Sequence, residues 1–245
     1  MERQVMTETS MKSEGKLMEG EAISIGEVGQ EIFVPQARDY LDIEKQYHQI
    51  MFLYEAGINQ LESRINILKR EFQFSNDRNP IENIESRIKS KESILLKLKR
   101  KGLPITVSAL TNNIRDIAGI RIICPFIEDV YNVARMLVKQ KDVELIEAKD
   151  YIINPKENGY RSLHLIVTTE VQFSNQTRKI PVEIQIRTIA MNFWASTEHQ
   201  LRYKKDREFT DEVQKELKEC ADIMAQADRI MQNIAGEFNI NLELW

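Results

Sequence analysis

The chain is predicted to fold as an α/β protein, with a mixed β-sheet flanked by helices and further helices at its two ends. Three observations carry that prediction. The centre alternates runs of strand character with a run of helical period, and both flanks repeat apolar residues at helical spacing. Hydrophobic residues make up 42% of the 245 positions, enough for one good core but short for two independent domains.

Residues 1 to about 35 are polar, rich in Glu, Gly and Met, and lack either period, so they read as a mobile arm. From residue 37 to about 76, Leu41, Tyr47, Ile50, Met51, Tyr54, Ile58, Leu61, Ile65 and Leu68 recur largely at helical spacing, interrupted by Gly57. That predicts one long helix, or two joined near the glycine. Asn79-Pro80 signals a turn, residues 84–88 a short strand, and residues 90–101 a basic helix that Gly102 stops. Strands are expected at 117–126, 143–151, 162–171 and 179–187, with a helix at 128–140. Helical spacing returns at 191–204 and at 212–236, the latter through Val213, Leu217, Cys220, Met224, Ala227, Met231 and Ile234. The organisation is therefore an arm at 1–35, a domain at 36–205 and a C-terminal helical segment at 206–245. That last segment carries a broad apolar stripe with little sheet left to cover, which points to another subunit.

Composition excludes several classes. No apolar run approaches the ~18 to 20 residues that span a bilayer, and no apolar stretch follows the early charges as in a secretory signal. Two cysteines, Cys124 and Cys220, are too few for a disulfide framework or a cysteine metal site, which fits a reducing compartment. A formal charge of -4 argues against a protein built around duplex nucleic acid. Yet Arg87, Lys89, Lys91, Lys97, Lys99, Arg100 and Lys101 crowd one segment. Such a cluster in an acidic chain suggests a local anionic ligand, although a solvated helix face has the same pattern.

Three segments carry chemistry. In a strand Val182, Ile184 and Ile186 face the core, while Glu183, Gln185 and Arg187 line the other face about 6.5 to 7 Å apart. Asp116 stands before a strand whose Arg121 lies opposite Ile120 and Ile122, and small Ala118 and Gly119 allow close approach. An acid there and Glu183 on a neighbouring strand can converge on one divalent ion, as nucleotide-bound Mg²⁺ requires. Taken alone, Asp116 serves equally well as a turn cap. In the third segment Asn158-Gly159 favours a turn, Lys156, Arg161 and His164 offer donors to phosphate, and Tyr160 offers a ring for a base. A ring that merely covers the sheet edge has the same signature.

The phrases DIAGIRIICPF, NGYRSLHL, VEIQIRTIAMNFWASTEH and ESRIKSKESILLKLKRKG together resemble the synthetase domain of the Rel-type (p)ppGpp synthetases. Within that family the chain is similar to the single-domain small alarmone synthetases, over about residues 80–205. The resemblance implies a nucleotidyltransferase-like fold and a cytoplasmic GTP diphosphokinase of the stringent response. Such an enzyme moves pyrophosphate from ATP to the 3′-hydroxyl of GDP or GTP with Mg²⁺, and it works as a homotetramer. Carried over residue by residue, Asp116 and Glu183 hold Mg²⁺ and Glu183 takes the 3′-hydroxyl proton. Arg121 and Arg87 sandwich adenine, and Lys89, Lys97 and Arg100 bind the ATP phosphates. On the acceptor side Tyr160 stacks on guanine, Asn192 reads its edge, Lys156 and His164 meet its phosphates, and Gln185 lies by its ribose. Arg161, Arg187, Glu198 and His199 are given supporting roles. The hydrolase domain of the longer relatives has a His-Asp doublet, whereas His48, His164 and His199 here precede Gln, Leu and Gln, so alarmone hydrolysis is not expected.

These parts suffice for phosphoryl-type transfer, which needs positioning and charge neutralisation more than covalent catalysis. Two alternatives stay open. A nucleotidyltransferase that moves AMP usually shows a Gly-Ser turn and an Asp-x-Asp pair, and this sequence has no such pair. A non-catalytic nucleotide- or RNA-binding module has no use for two carboxylates in a cationic site, and no separate feature marks RNA as a partner.

Overall fold

The computed structural model describes residues 37–75, 78–203 and 210–238. The chain divides into two units, residues 1–45 and 46–245. The expected arm at 1–35 lies outside the described residues, and the first unit contributes the opening of helix α1 (Ala37–Ser75). The second unit continues with β1 (Asn83–Ile88), α2 (Lys91–Arg100), α3 (Val107–Asn113), β2 (Ala118–Cys124) and α4 (Ile127–Val138). Then follow β3 (Val143–Asp150), β4 (Leu163–Gln172), β5 (Thr177–Thr188), α5 (Ile189–Tyr203) and α6 (Asp211–Glu237). Among the described residues no helix is long and apolar enough to cross a membrane.

The five strands form one mixed sheet in the order β1-β2-β5-β4-β3. Only β2 and β5 run parallel, as the β2–α4 crossover requires, and the remaining pairs are antiparallel. The α/β expectation holds. Ile120, Ile122, Leu163, Leu165, Ile184 and Ile186 alternate inward and are buried, so one sheet face is a closed apolar layer. Helix α4 covers β2, β3 and β5, burying Val130, Val133, Ala134 and Leu137 at helical spacing.

Helix α1 resolves the alternative left by Gly57, because it runs through that residue unbroken. The glycine is there for space. A Cβ at Gly57 would lie 2.6 Å from Ile180 Cγ2 and 3.0 Å from Ile180 Cβ, so only a bare backbone lets the helix meet β5. We expect Gly57→Ala to lose stability: alanine adds about 1 kcal/mol of helix propensity, but overpacking a branched side chain costs about 1 to 3 kcal/mol. Urea unfolding checks this, and a variant at least as stable as wild type would mean that α1 has room to shift.

Sequence periodicity missed α3. Its seven residues are mostly polar and bury only Ala109 and Leu110, too short a pattern to register, although Thr106 caps it by accepting from Ala109 N at 3.1 Å. The expectation for α6 changes in part. Ala221, Ala225 and Ala235 are buried, Trp194 Nε1 donates to Leu217 O at 2.8 Å, and Thr188 Oγ1 donates to Asp228 Oδ2 at 2.7 Å. The helix is thus tied to α5 and to the end of β5, while Ile223, Ile230, Met231 and Ile234 remain exposed.

Candidate active site

Strand register decides which polar side chains share the open face of the sheet. In one row Glu85 stands opposite Arg121, Arg121 opposite Gln185, Gln185 opposite His164, and His164 opposite Lys149. In the next row Arg87 stands opposite Gly119, Gly119 opposite Glu183, Glu183 opposite Ile166, and Ile166 opposite Glu147. Positions two apart point the same way, so both rows line one face.

Asp116 joins them from the turn before β2. Its Oδ2 accepts from Lys89 Nζ and from Lys97 Nζ, each at 2.6 Å, while its Oδ1 is buried without a partner. The β1–α2 corner delivers both ammonium groups. Lys89 follows β1 directly, Ser90 caps α2 by accepting from Ser93 N at 3.3 Å, and Ile94 and Leu98 turn inward to leave Lys97 on the cleft side.

Burial by itself would raise the Asp116 carboxyl, but hydrogen bonds and charge from Lys89 and Lys97 outweigh it and hold the group below its ordinary value. Glu183 follows the same logic. Burial raises it, the hydrogen bond and charge of His164 and the Gln185 amide pull it down further, and Asp116 opposes them. Both carboxylates are therefore ionised at neutral pH. Arg121 is pushed below its ordinary value by burial and by the charges of Arg187 and Arg87, with Glu85 as the opposing acid. Cations are crowded here in a way that an anionic ligand relieves.

Two cavities open on this face. The smaller, about 130 Å³, is lined by Glu85, Arg87, Gly119, Arg121 and Gln185 together with Asp116 and Glu183. The larger, about 510 Å³, is lined by Lys97, Lys101, Arg115, Lys149, Lys156 and His164, again with Asp116 and Glu183. The two carboxylates are thus the shared wall.

The turn before β4 closes the far end. Gly159 has φ 87°, and a Cβ there would lie 2.5 Å from Ala221 Cβ, so the turn needs glycine both for its conformation and for contact with α6. Tyr160 is half-buried. Its hydroxyl lies 2.8 Å from His164 Nε2 and accepts from Arg187 Nη2 at 2.6 Å, and Lys156 Nζ sits 4.8 Å from the ring centre.

The structure therefore brings together Arg87, Lys89, Lys97, Asp116, Arg121, Lys156, Tyr160, His164, Glu183 and Gln185. Four expected residues line neither cavity: Lys89 and Tyr160 join through their bonds to Asp116 and His164, whereas Arg100 and Asn192 stand further off. Arg100 is exposed at the last turn of α2, where Lys97 and Lys101 take the cleft side. Asn192, on α5, meets the site through Arg187 Nη1 at 3.4 Å and also accepts from Ser196 Oγ at 3.4 Å. Sequence reasoning passed over Lys101, Arg115, Lys149 and Tyr151 as site residues. Lys149 was legible, since the alternation of β3 puts it on the polar face beside His164; the position of Arg115 depends on how the turn into β2 folds.

The donor set fits a hard divalent cation. Such an ion needs one or two carboxylates and takes its other oxygens from phosphate and water, and the partnerless Asp116 Oδ1 beside ionised Glu183 meets that need.

Comparison with known proteins gives a consistent answer. Residues 86–208 match the region found in RelA/SpoT proteins. The chain is 41% identical over 207 residues to the GTP pyrophosphokinase YwaC of Bacillus subtilis, covering 84% of this chain and 99% of that protein. It is 36% identical over 194 residues to the GTP pyrophosphokinase YjbM of the same organism, covering 79% and 90%. The fold matches the B. subtilis small alarmone synthetase 1 bound to its product pppGpp with a TM-score of 0.74 at 35% identity, covering 80% of this chain and 99% of that one. A structure of the same synthetase bound to AMPCPP matches with a TM-score of 0.68 at 32% identity, covering 79% and 98%.

Proposed function

Because this chain belongs to the RelA/SpoT family, in its small single-domain alarmone synthetase branch, we infer that it is a GTP pyrophosphokinase that makes (p)ppGpp from ATP and GDP or GTP. The observation that carries the reading is the pair of cavities with Asp116 and Glu183 as their common wall. Two nucleotides on either side would meet at those carboxylates, where a group can pass between them.

ATP takes the smaller cavity, with adenine between Arg87 and Arg121 and its phosphates toward Lys89 and Lys97; Arg100, exposed at the end of α2, would have to swing inward to join them. The acceptor takes the larger, with its phosphates toward Lys156 and His164 and its guanine on Tyr160 beside that wall, the edge toward Asn192 on α5 and the ribose by Gln185, where the two cavities adjoin at Glu183. Glu183, already ionised, accepts the proton of the 3′-hydroxyl as that oxygen bonds to the β-phosphorus of ATP. The bond from that phosphorus to the α-phosphate oxygen breaks, and AMP leaves. The surrounding lysines and arginines neutralise charge as it shifts. Asp116 and Glu183 would hold Mg²⁺, which would supply further charge neutralisation at the transferred group. Residues 36–205 carry the reaction, and the enzyme works in the cytoplasm.

The assay is incubation with ATP, GDP and Mg²⁺. AMP and ppGpp in equal amounts support the reading, release of pyrophosphate would indicate nucleotidyl transfer, and no turnover would leave a binding module. Tyr160→Ala removes a stacking surface worth about 1 to 3 kcal/mol, so the acceptor KM should rise roughly tenfold or more while ATP binding changes little. Equal losses for both nucleotides would make Tyr160 structural.

We also propose a homotetramer with the segment at 206–245 in its contacts, because Ile223, Ile230 and Ile234 form an exposed stripe on one side of α6. Light scattering at micromolar concentration should give four times the 28.7 kDa chain mass, and a monomer mass would sink the proposal.

A further inference from the structure

One cation on the polar face of β5 binds nothing in the scheme above. Arg187 is 4% exposed, and among the described residues every hydrogen-bond partner of its guanidinium is neutral. Burying an ionised side chain without a carboxylate is costly, and such a charge persists where several well-placed acceptors hold it. Its Nη2 donates to Tyr160 Oη at 2.6 Å and to Gln185 Oε1 at 2.9 Å. Its Nη1 reaches Asn192 Oδ1 at 3.4 Å, and its Nε reaches Ser162 Oγ at 3.4 Å.

These bonds are part of a closed ring. From Gln185, Nε2 donates to Glu183 Oε2 at 2.8 Å. From Tyr160, the hydroxyl meets His164 Nε2 at 2.8 Å, and His164 Nδ1 meets Glu183 Oε1 at 3.2 Å. Arginine only donates and a carboxylate only accepts, which fixes the bonds at Arg187 and at Glu183, while the Tyr160–His164 bond takes its direction from the imidazole. A neutral His164 that presents Nδ1–H to Glu183 accepts the Tyr160 hydroxyl proton at Nε2, and the imidazolium donates at both nitrogens, so either form closes the ring. One arm runs from Arg187 through Gln185 and the other through Tyr160 and His164, and the two end on the two oxygens of Glu183.

Resting on the functional reading above, we propose that Arg187 is a positioning residue that fixes the acceptor subsite and the base as one unit. The same guanidinium that holds the ring of Tyr160, 5.2 Å from its centre, also holds Gln185 and reaches Asn192. A guanine nucleotide that settles on Tyr160 therefore settles on a surface already in register with the carboxylate that takes its proton. Arg87, Lys89 and Lys97 make no bond within the ring, and only Gln185 and Glu183 of the ring line the smaller cavity, so ATP should feel its loss less than the acceptor does.

Arg187→Lys keeps the charge and loses the planar fork that feeds both arms. Calorimetry on the full chain should show GDP affinity reduced by about tenfold or more, AMPCPP affinity within about twofold of wild type, and kcat reduced by about tenfold or more with melting temperature little changed. Tyr160→Phe removes only the hydroxyl. If the ring acts as a unit, Arg187→Lys combined with Tyr160→Phe should lose about what the worse single variant loses; if the two act separately, their losses multiply. Multiplying losses, or an Arg187→Lys protein with wild-type GDP affinity and kcat, would overturn the proposal. Should Arg187→Lys fail to fold, Tyr160→Phe paired with Gln185→Met tests the two arms without touching Arg187, and additive losses again overturn it. A wild-type chain that binds neither GDP nor AMPCPP would instead bring down the functional reading itself.

Discussion

Replacing Glu183 with glutamine is expected to lower kcat by at least about 10² to 10⁴, the range typical of losing a general base, with the fold unchanged. Glutamine keeps size and shape, and Glu183 sits on β5 between Val182 and Ile184, whose burial holds the strand in place whatever the polar side chain is. The charge and the basicity are what disappear. Because the neutral amide still fills its place in the row beside Gly119 and Ile166, the variant should still bind both nucleotides. Added Mg²⁺ should rescue it poorly, since the missing function is proton acceptance. The measurement is kcat across a Mg²⁺ titration, with nucleotide affinity followed by calorimetry. A variant that keeps more than about a tenth of wild-type kcat would remove Glu183 from the chemistry and leave it a polar strand residue.

The prominence of Glu183 in the sequence comes from the two-residue period of β5, and the structure keeps that alternation of burial from Val182 to Ile186, with Arg187 buried beyond it. Strand alternation is local, so it is legible without knowing the fold. The rows across the sheet are not local. Glu85 beside Arg121, and Gln185 beside His164, depend on strand order and register, which no local pattern reveals. For the same reason Arg187 was legible as a polar strand residue but not as a buried cation, because its partners come from the turn at Tyr160 and the start of α5 as well as its own strand. Basic helix α2 shows the limit from the other side. Seven cations near it were visible, yet only the inward turn of Ile94 and Leu98 decides that Lys97 faces Asp116 while Arg100 faces solvent. Gly57 leaves one helix or two open in the sequence, and the missing side chain that brings α1 onto Ile180 decides for one.

Asp116→Asn should be inactive for a different reason, and the sign of its effect on ATP binding should depend on metal. Asp116 Oδ2 takes both Lys89 and Lys97, so its charge cancels part of the attraction those lysines hold for phosphate. Asparagine releases them. Without Mg²⁺, AMPCPP should bind Asp116→Asn somewhat more tightly than wild type, by on the order of 1 kcal/mol in this partly hydrated site. With Mg²⁺ the order should reverse. Asp116 Oδ1, buried and without a partner, is the oxygen best placed for a cation, and replacing a direct carboxylate ligand should cost at least the tenfold to hundredfold in metal affinity that is typical of outer-shell partners. Extra Mg²⁺ should then restore part of the activity, unlike the case of Glu183→Gln. Calorimetric titration of AMPCPP in EDTA and at several Mg²⁺ concentrations reads both signs. Weaker binding in both conditions would mean that the amide disturbs the lysines rather than the metal, and tighter binding in both would make Asp116 a counter-ion for Lys89 and Lys97 and nothing more.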